Sequence, residues 1–413
     1  CLLANLVDPL TFESKKSVIS AIVEFIGLIA SLAILYLSIT ITLSRTSRRI
    51  SGFWSISYSL FAIVWLTYSL AGIIASLVNL PGSPAEIFGN SYFGYLNIIN
   101  LAIFSLVLAA PERLSVGFMA GLLGFAVIIV GTSFVAAWEV IWSESGTWYG
   151  IFQRTEEATG LQISRSSGIS RMCALFALLF LTSLLFPILN SNRSQAVIED
   201  LFLIFGLIIF VMIVITLQSR GSLLSLFIAM CFMCLACSQN RLRAFFKERA
   251  LTAVVAIVCL MIGAYWIVEI LFVPRFSSNS FWTGWSGRGD IWHTIISNQQ
   301  NLGVGCGFQC DRYLSGHSAS NGLVYSFATA GLVGTFSALV TYGTAVYVWI
   351  LAASRINELS RLQLYALGVV PFFVFRTIPE SGYFVFGFDS VFFFVSLGLL
   401  FKGLGYTRGS VEA

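Results

Sequence analysis

Long apolar segments separated by short polar islands dominate the pattern of this chain. Segments such as 201–217 and 251–272 are apolar on every face, which predicts helices rather than alternating strands. A helix needs about 20 apolar residues to cross the hydrocarbon of a membrane. The pattern therefore predicts an all-α, polytopic integral membrane protein with about eleven transmembrane helices in this chain. They are predicted at residues 18–44, 53–78, 92–110, 115–142, 172–190, 197–217, 222–238, 251–272, 322–350, 363–379 and 384–401.

The composition supports a lipid environment. Hydrophobic residues make up 57% of the chain and charged residues 10%, whereas a soluble domain carries about 25% charged residues. The shortfall is expected in a bilayer, where an ionisable group costs about 3 kcal/mol at mid-depth. The net charge of +4 is small and spread along the chain, so it gives no argument for a nucleic-acid partner.

Basic islands orient the predicted helices. Islands at 45–49, 241–249 and 355–361 fall on one side when the spans are counted alternately, and Lys402 falls there too. Short loops rich in Lys and Arg mark the cytoplasmic side. The opposite face then receives a large extracytoplasmic loop at 273–321 within a single membrane domain, 1–413. The same count puts the N-terminal segment outside, so we expect a preceding span and about twelve in the full protein.

Two of the eight cysteines lie in the large loop, Cys306 and Cys310, on either side of Gly307. They could pair as a disulfide if the loop faces an oxidising compartment. The alternative is a pair of free thiols. A metal site is disfavoured because no further ligands cluster nearby.

Three arginines, Arg220, Arg288 and Arg376, lie on the predicted outer face at or near span ends. Arg220 is either an interfacial anchor or a ligand for an anion. Arg376 either forms an ion pair with Glu380, four residues later, or has a functional role.

Only two histidines occur, His293 and His317. His317 precedes an apolar run, so Ser318 or Ser320 could cap that helix, with the histidine incidental. The functional reading is a general base at the boundary of water and membrane. Asp290 beside His293 is too small a set for a zinc site, and no nucleotide-binding or hydrolase motif is present, so no cofactor is predicted.

Four patches, in order, give the C-terminal half a resemblance to the O-antigen ligase and polymerase superfamily of bacterial envelope glycosyltransferases. Residues 219–224 (SRGSLL) resemble the family's R-x-x-x-L at an outer span end. Residues 287–292 (GRGDIW) resemble its G-R-x-x-x-W, followed by a glycine-rich stretch at 301–308 (NLGVGCGF). Residues 317–323 (HSASNGL), with Gly331 and Gly334, resemble its H-N-x-x-L and G-x-x-G. Residues 376–381 (RTIPES) resemble its R-x-x-x-E-S.

The resemblance implies a membrane glycosyltransferase of the bacterial inner membrane, with its active site on the periplasmic face and no metal or other cofactor. The donor would be an undecaprenyl-diphosphate-linked oligosaccharide, and the anomeric centre would invert. The implied catalytic residues are His317, Arg288 and Arg220. The implied substrate-binding residues are Arg376, Glu380, Ser320, Asn321, Arg165 and Trp292.

One position departs from the family pattern. The family histidine directly precedes asparagine, and that position here is Ser320, with His317 about one helical turn earlier. Either His317 replaces the imidazole from the same face, or the loop is shifted.

Three functions remain open at this stage. We expect a polymerase of lipid-linked repeat units, with an acceptor glycan and a chain-length regulator protein as implied partners. The nearest alternative is a ligase that moves the glycan onto lipid A core or onto a protein. A lipid-linked glycan flippase is more remote, because no related halves are visible.

Overall fold

The structure is a computed structural model, and it describes residues 52–79, 84–136, 166–189, 197–217, 219–237, 288–299, 302–378, 384 and 387–406. All regular structure in these residues is helical, with no strand. The helices are α1 (Gly52–Val78), α2 (Pro84–Ala109), α3 (Glu112–Ala136), α4 (Ser166–Leu189), α5 (Val197–Thr216), α6 (Arg220–Cys237), α7 (Arg288–Asn298), α8 (Cys310–Ser315), α9 (Gly322–Ser354), α10 (Arg361–Arg376) and α11 (Phe388–Tyr406). A short 3-10 helix, Ile356–Glu358, follows α9.

Six of the described helices, α1 to α5 and α9, are long and apolar enough to cross a membrane. This confirms the prediction of a helical membrane protein. A helix occupies each predicted span that lies within the described residues. The spans predicted at 18–44 and 251–272, and the first part of the loop 273–321, lie outside them. The total of about eleven spans and the full extent of the loop therefore stay predictions.

The chain divides into two compact units. The first contains residues Cys1–Ser115, Trp285–Ala352 and Phe373–Ala413, and the second contains Val116–Gly284 and Ala353–Phe372.

Aromatic side chains form the core of the first unit, where α2 packs against both α1 and α11. Trp65 is fully buried, and its ring meets Phe394 edge-on with 4.7 Å between the centroids. Phe61 and Phe104 pack beside them, 5.1 Å apart. The Trp65 indole N–H donates to the carbonyl of Asn97 at 2.9 Å, as a buried indole requires.

Contacts at the two ends of α2 separate two faces of the first unit. Near one end, the Asn90 amide donates to the Tyr313 hydroxyl of the loop at 3.5 Å. At the other end, the Lys402 ammonium donates to the carbonyl of Ala110 and to the hydroxyl of Ser115. The helical rise places residues 90 and 110 about 30 Å apart, which is the thickness of the bilayer hydrocarbon. The loop and Lys402 thus lie at opposite ends of this unit, as the sequence predicts.

In the second unit, α4 packs against α5 and α6. Gly206 allows close packing here, because an added Cβ would overlap the ring of Phe180. The buried Tyr365 hydroxyl donates to the Leu175 carbonyl at 3.2 Å.

Candidate functional site

A break in α9 explains the glycine-rich stretch of the large loop. Ala330 and Gly331 leave the helical conformation, and Gly331 has φ 58° and ψ −142°. The break exposes carbonyl groups, and the loop pairs with them: the Cys306 N–H donates to Ala328 at 2.9 Å and the Gly307 N–H to Thr329 at 3.0 Å. Irregular backbone at membrane depth is tolerated when protein satisfies its polar groups in this way.

Two glycines are required by this close approach of backbones. Gly305 has φ 78°, and an added Cβ would overlap the backbone of Ala330 and Gly331. At Gly331 an added Cβ would overlap the carbonyl of Leu302, and φ is again positive. Both positions therefore favour glycine. Gly305 and Gly331 thus lie where the backbone of the loop packs directly against the backbone of the broken helix.

The loop is also fastened to the C-terminal end of α1. The Phe308 N–H donates to the Ser76 hydroxyl at 2.9 Å, and the Asn79 side-chain amide donates to the Gly305 carbonyl at 3.0 Å. Phe308 is fully buried.

Cys306 and Cys310 form a disulfide, which resolves the alternatives that the sequence left open. Their Cα atoms are 5.7 Å apart, within the usual range for a disulfide. Leu314 of α8 packs against the buried pair. The bridge therefore joins the glycine-rich stretch to α8.

Hydrogen bonds hold the segment 315–321, which carries His317, in one conformation. The Ser315 hydroxyl donates to the His317 carbonyl at 2.9 Å and accepts the His317 N–H at 3.3 Å. Both backbone polar groups of Ala319 are also hydrogen-bonded. Its N–H donates to Asp311 Oδ2 at 2.7 Å, and its carbonyl accepts the Trp292 indole N–H at 2.6 Å. The His317 side chain itself is exposed. The segment thus presents an open imidazole from a fixed backbone.

The end of the same segment is joined to the C-terminal end of α10. Ser320 has φ 47°, an unusual value outside glycine that marks a tight turn. Asn321 then caps α9, because its Oδ1 accepts the N–H groups of Leu323 and Val324 at 2.9 and 3.0 Å. Its amide nitrogen donates to the Ile378 carbonyl at 2.9 Å. The cap is therefore Asn321 rather than Ser318 or Ser320.

These contacts bring three of the four sequence patches together in the first unit. Trp292 of α7 forms a hydrogen bond with the segment 315–321. Asn321, at the end of that segment, forms a hydrogen bond with Ile378 in the turn after Arg376. The N–H of the next residue, Gly322, donates to the Thr377 carbonyl of the same turn at 2.8 Å. The joined residues are far apart in sequence. Spacing alone could not establish these contacts.

The other predicted site residues are only partly described. Arg288 opens α7 and Arg220 opens α6, but their side chains lie outside the described residues, as do Arg165 and Glu380 entirely. Arg220 belongs to the second unit. Its convergence with Arg288 and His317 stays a prediction.

Arg376 is fully buried and forms an ion pair with Asp389, with Nη1 2.6 Å from Oδ2. The sequence suggested Glu380 as a partner, and that residue lies outside the described range. Asp389 was not singled out because it lies 13 residues further on, in the first turn of α11. Its place beside Arg376 depends on how the last residues of α10 meet the first turn of α11.

Asp311 is the second acidic residue that the sequence did not indicate. The residue is 1% exposed, in a loop whose polar residues suggest exposure. Burial raises the pKa of the Asp311 carboxyl, while the Ala319 N–H and the charge of Arg312 lower it in part. The only sequence signal was an acid directly after Cys310.

No protein-family model matches this chain, and no curated protein matches it. The resemblance to the O-antigen ligase and polymerase superfamily therefore depends on the four patches and on their arrangement.

Proposed function

We propose that this protein is a membrane glycosyltransferase that joins lipid-diphosphate-linked oligosaccharide repeat units of a bacterial surface polysaccharide. The observation that carries the proposal is the junction of three patches, in which Trp292, the segment 315–321 and the turn after Arg376 are joined by hydrogen bonds. Patches that meet in space are better evidence for a common site than patches that only follow in order.

The proposed chemistry needs a base and positive charge. The exposed His317 imidazole takes the proton of the acceptor hydroxyl while the oxygen of that hydroxyl attacks the anomeric carbon. The bond from that carbon to the diphosphate oxygen breaks, the bonding pair leaves with the diphosphate, and the anomeric centre inverts.

Arg288 and Arg220 are each the first residue of a helix. A helix N-terminus favours anions, and an arginine there adds a two-point phosphate donor. We assign both to the leaving diphosphate and Glu380 to the wall of the site. Arg376, predicted to bind substrate, is fully buried against Asp389, and its role here is to position the turn that follows it.

The fixed segment supports a catalytic role for His317. A base contributes most when its position is set before the substrate binds. Hydrogen bonds to Asp311, Trp292 and Ser315 provide that order. The disulfide in the same loop supports an oxidising, periplasmic location.

The proposal is tested with the purified protein in detergent and a lipid-diphosphate repeat unit as sole substrate. A ladder of longer glycans supports the polymerase. Product that forms only after lipid A core is added supports the ligase instead. Neither product, together with movement of the lipid across vesicles, would indicate a flippase.

A matched pair of histidine variants tests the site. His317→Ala should lower the transfer rate by about 100-fold or more, since general base catalysis contributes at least that much. His293→Ala, at an exposed position in α7, is the control and should keep full activity. Full activity in both His317→Ala and Arg288→Ala would refute the assignment.

A further inference from the structure

The glycine-rich stretch of the large loop has a buried half and an exposed half. Residues 305–308 are all buried, whereas Leu302, Gly303 and Val304 are all exposed. Leu302 is 56% exposed and Val304 43%, and an added Cβ at Gly303 would meet no atom. These three residues, here called the apolar edge, carry no polar side chain. They lie in a loop that the sequence predicts to be in water.

The apolar edge continues the exposed face of α9. The Leu302 carbonyl accepts the Leu332 N–H at 2.9 Å, so the edge lies beside Leu332, which is 63% exposed. From there exposed residues recur every three or four positions along one face of the helix, at Phe336, Leu339, Gly343, Val346 and Ile350. Because α9 is long and apolar enough to cross a membrane, lipid covers this face. The apolar edge therefore extends a lipid-facing surface beyond the helix itself.

The helical rise gives the depth of the edge along α9. The helix is regular from Leu332 to Ala352, which corresponds to about 30 Å. Arg355 follows soon after in the sequence, and a charged residue is costly in hydrocarbon, so this end of α9 marks one boundary of the bilayer. The hydrocarbon is about 30 Å thick. Leu332 and the apolar edge beside it therefore lie at the other boundary.

Helix α1 gives the same depth independently. Its apolar span runs Ser57–Val78, and the last two residues, Leu77 and Val78, are exposed. The side-chain amide of the next residue, Asn79, donates to the Gly305 carbonyl at 3.0 Å, directly beside the apolar edge. The apolar surface of α1 thus reaches the level of the glycine-rich stretch. Two helices place the edge at the same boundary of the hydrocarbon.

The backbone pairing of the stretch fits a place at this boundary. Hydrocarbon offers no hydrogen bonds, so irregular backbone that meets it is paired with protein. The N–H groups of Cys306, Gly307 and Phe308 all donate to α9 or α1. The carbonyl of Leu302 accepts from α9, and that of Gly305 accepts from the residue after α1. A loop surrounded by water would not require such partners, because water supplies them.

We propose that the apolar edge is inserted into the boundary of the bilayer, where Leu302 and Val304 contact the acyl chains of the leaflet on the side of the loop. One edge of the loop thus lies in the membrane rather than in water. Continuity with α9 favours lipid as the partner, because the same acyl chains cover Leu332 and Phe336. Water and a covering protein surface are the other two occupants, and the test below separates them from lipid.

The membrane contact is connected to the candidate site. The disulfide joins the glycine-rich stretch to α8, and Asp311 of α8 accepts the Ala319 N–H. The apolar edge therefore fixes the height of the segment 315–321 relative to the bilayer. The contact with lipid goes beyond the proposed transfer reaction and does not depend on it. It is measured without any sugar substrate, so failure of one proposal leaves the other testable.

The test places a fluorescent probe on the apolar edge of the full chain in liposomes of phosphatidylcholine and phosphatidylglycerol. The cysteines outside the disulfide are replaced by alanine, and Leu302→Cys or Val304→Cys is labelled with a small thiol-reactive fluorophore. Mass spectrometry verifies that the disulfide is intact. A lipid with a nitroxide near the headgroup end of its acyl chain should quench both probes more strongly than a lipid with a nitroxide at mid-chain. Iodide in the water should quench them at least about fivefold less than a probe at Asp290→Cys, because an ion does not enter hydrocarbon.

Two control positions calibrate the quenching. Asp290→Cys, exposed in α7, reports on water. Phe336→Cys, about 6 Å deeper along α9 than Leu332, reports on lipid and should be quenched best by the mid-chain nitroxide. Iodide quenching at the edge equal to that at Asp290→Cys would place the edge in water and overturn the proposal. Weak quenching by iodide and by both nitroxides would show that protein covers the edge, which overturns it as well. If one edge variant does not fold, the other decides the question.

Discussion

The ion pair between Arg376 and Asp389 can be tested by removing its charges singly and together. Both side chains are buried, 0% and 8% exposed, with 2.6 Å between Nη1 and Oδ2. At that separation the attraction is about 6 kcal/mol for an effective dielectric constant of 20. Part of this is offset by the cost of burying both charges, and both residues also have other partners. We therefore expect Arg376→Met or Asp389→Leu alone to lower the free energy of unfolding by about 3 kcal/mol.

The double variant is the decisive measurement. Replacing both members of a buried ion pair by apolar residues leaves no uncompensated charge, so it is often nearly neutral. The loss of unfolding free energy in Arg376→Met/Asp389→Leu should thus be smaller than the sum of the single losses, about 6 kcal/mol, by at least about 2 kcal/mol. Unfolding with sodium dodecyl sulfate in mixed micelles, followed by circular dichroism, provides the four values. Asp290→Leu, an exposed acid changed to the same residue, is the control and should stay within about 0.5 kcal/mol of wild type.

Additive single losses, within about 0.5 kcal/mol, would refute the reasoning, because residues that do not interact show additive effects. The result also bears on the site. The turn after Arg376 accepts hydrogen bonds from Asn321 and Gly322, so loss of the pair should disturb the segment 315–321 as well. Weaker transfer activity in the single variants than in the double variant would show this.

Three further predictions follow from single contacts. Trp292→Phe removes the indole donor to Ala319 and should lower the free energy of unfolding by about 1 kcal/mol. It should also lower kcat about tenfold, because the segment that carries His317 is positioned less well. A change in KM with unchanged stability would indicate that Trp292 stacks on a sugar instead. Gly331→Ala should lower the free energy of unfolding by about 2 kcal/mol or more, because φ is positive and the added methyl group overlaps backbone atoms. The control is Gly343→Ala in the same helix, where an added methyl group meets no atom; it should leave stability unchanged or raise it. Cys306 and Cys310 should resist alkylation until reduced, as read by mass spectrometry, and their replacement by serine should cost about 2 kcal/mol for so short a loop.

Most of the helical architecture could be predicted without coordinates. A run that is apolar on all faces has few stable options in lipid, because every backbone group must be paired within the segment. The helices α1 to α6 and α9 to α11 accordingly lie at predicted spans, although α2 and α4 begin eight and six residues earlier than predicted. The break at Ala330 and Gly331 was not predictable as such, because Gly331 lies inside a run that is otherwise uniformly apolar.

The candidate site was only partly accessible from the sequence. His317, Trp292, Asn321 and Arg376 were recognisable because each lies in a short patch with its own spacing. Their connections were not, since each depends on contacts between residues far apart in the chain. Asp389 pairs with Arg376 only because the C-terminal end of α10 and the first turn of α11 meet.

The sequence by itself determined that this is a helical membrane protein and which polar residues stand at the ends of its spans. Both follow from local physics, since hydrophobicity and helix length are properties of contiguous segments. Only the tertiary structure decided that Cys306 pairs with Cys310, that Asn321 caps α9, and that Asp311 is buried and holds the Ala319 N–H. Burial and partner choice are properties of a packed fold. An acid such as Asp311 therefore looks exposed in the sequence and is buried only because of the way the loop folds.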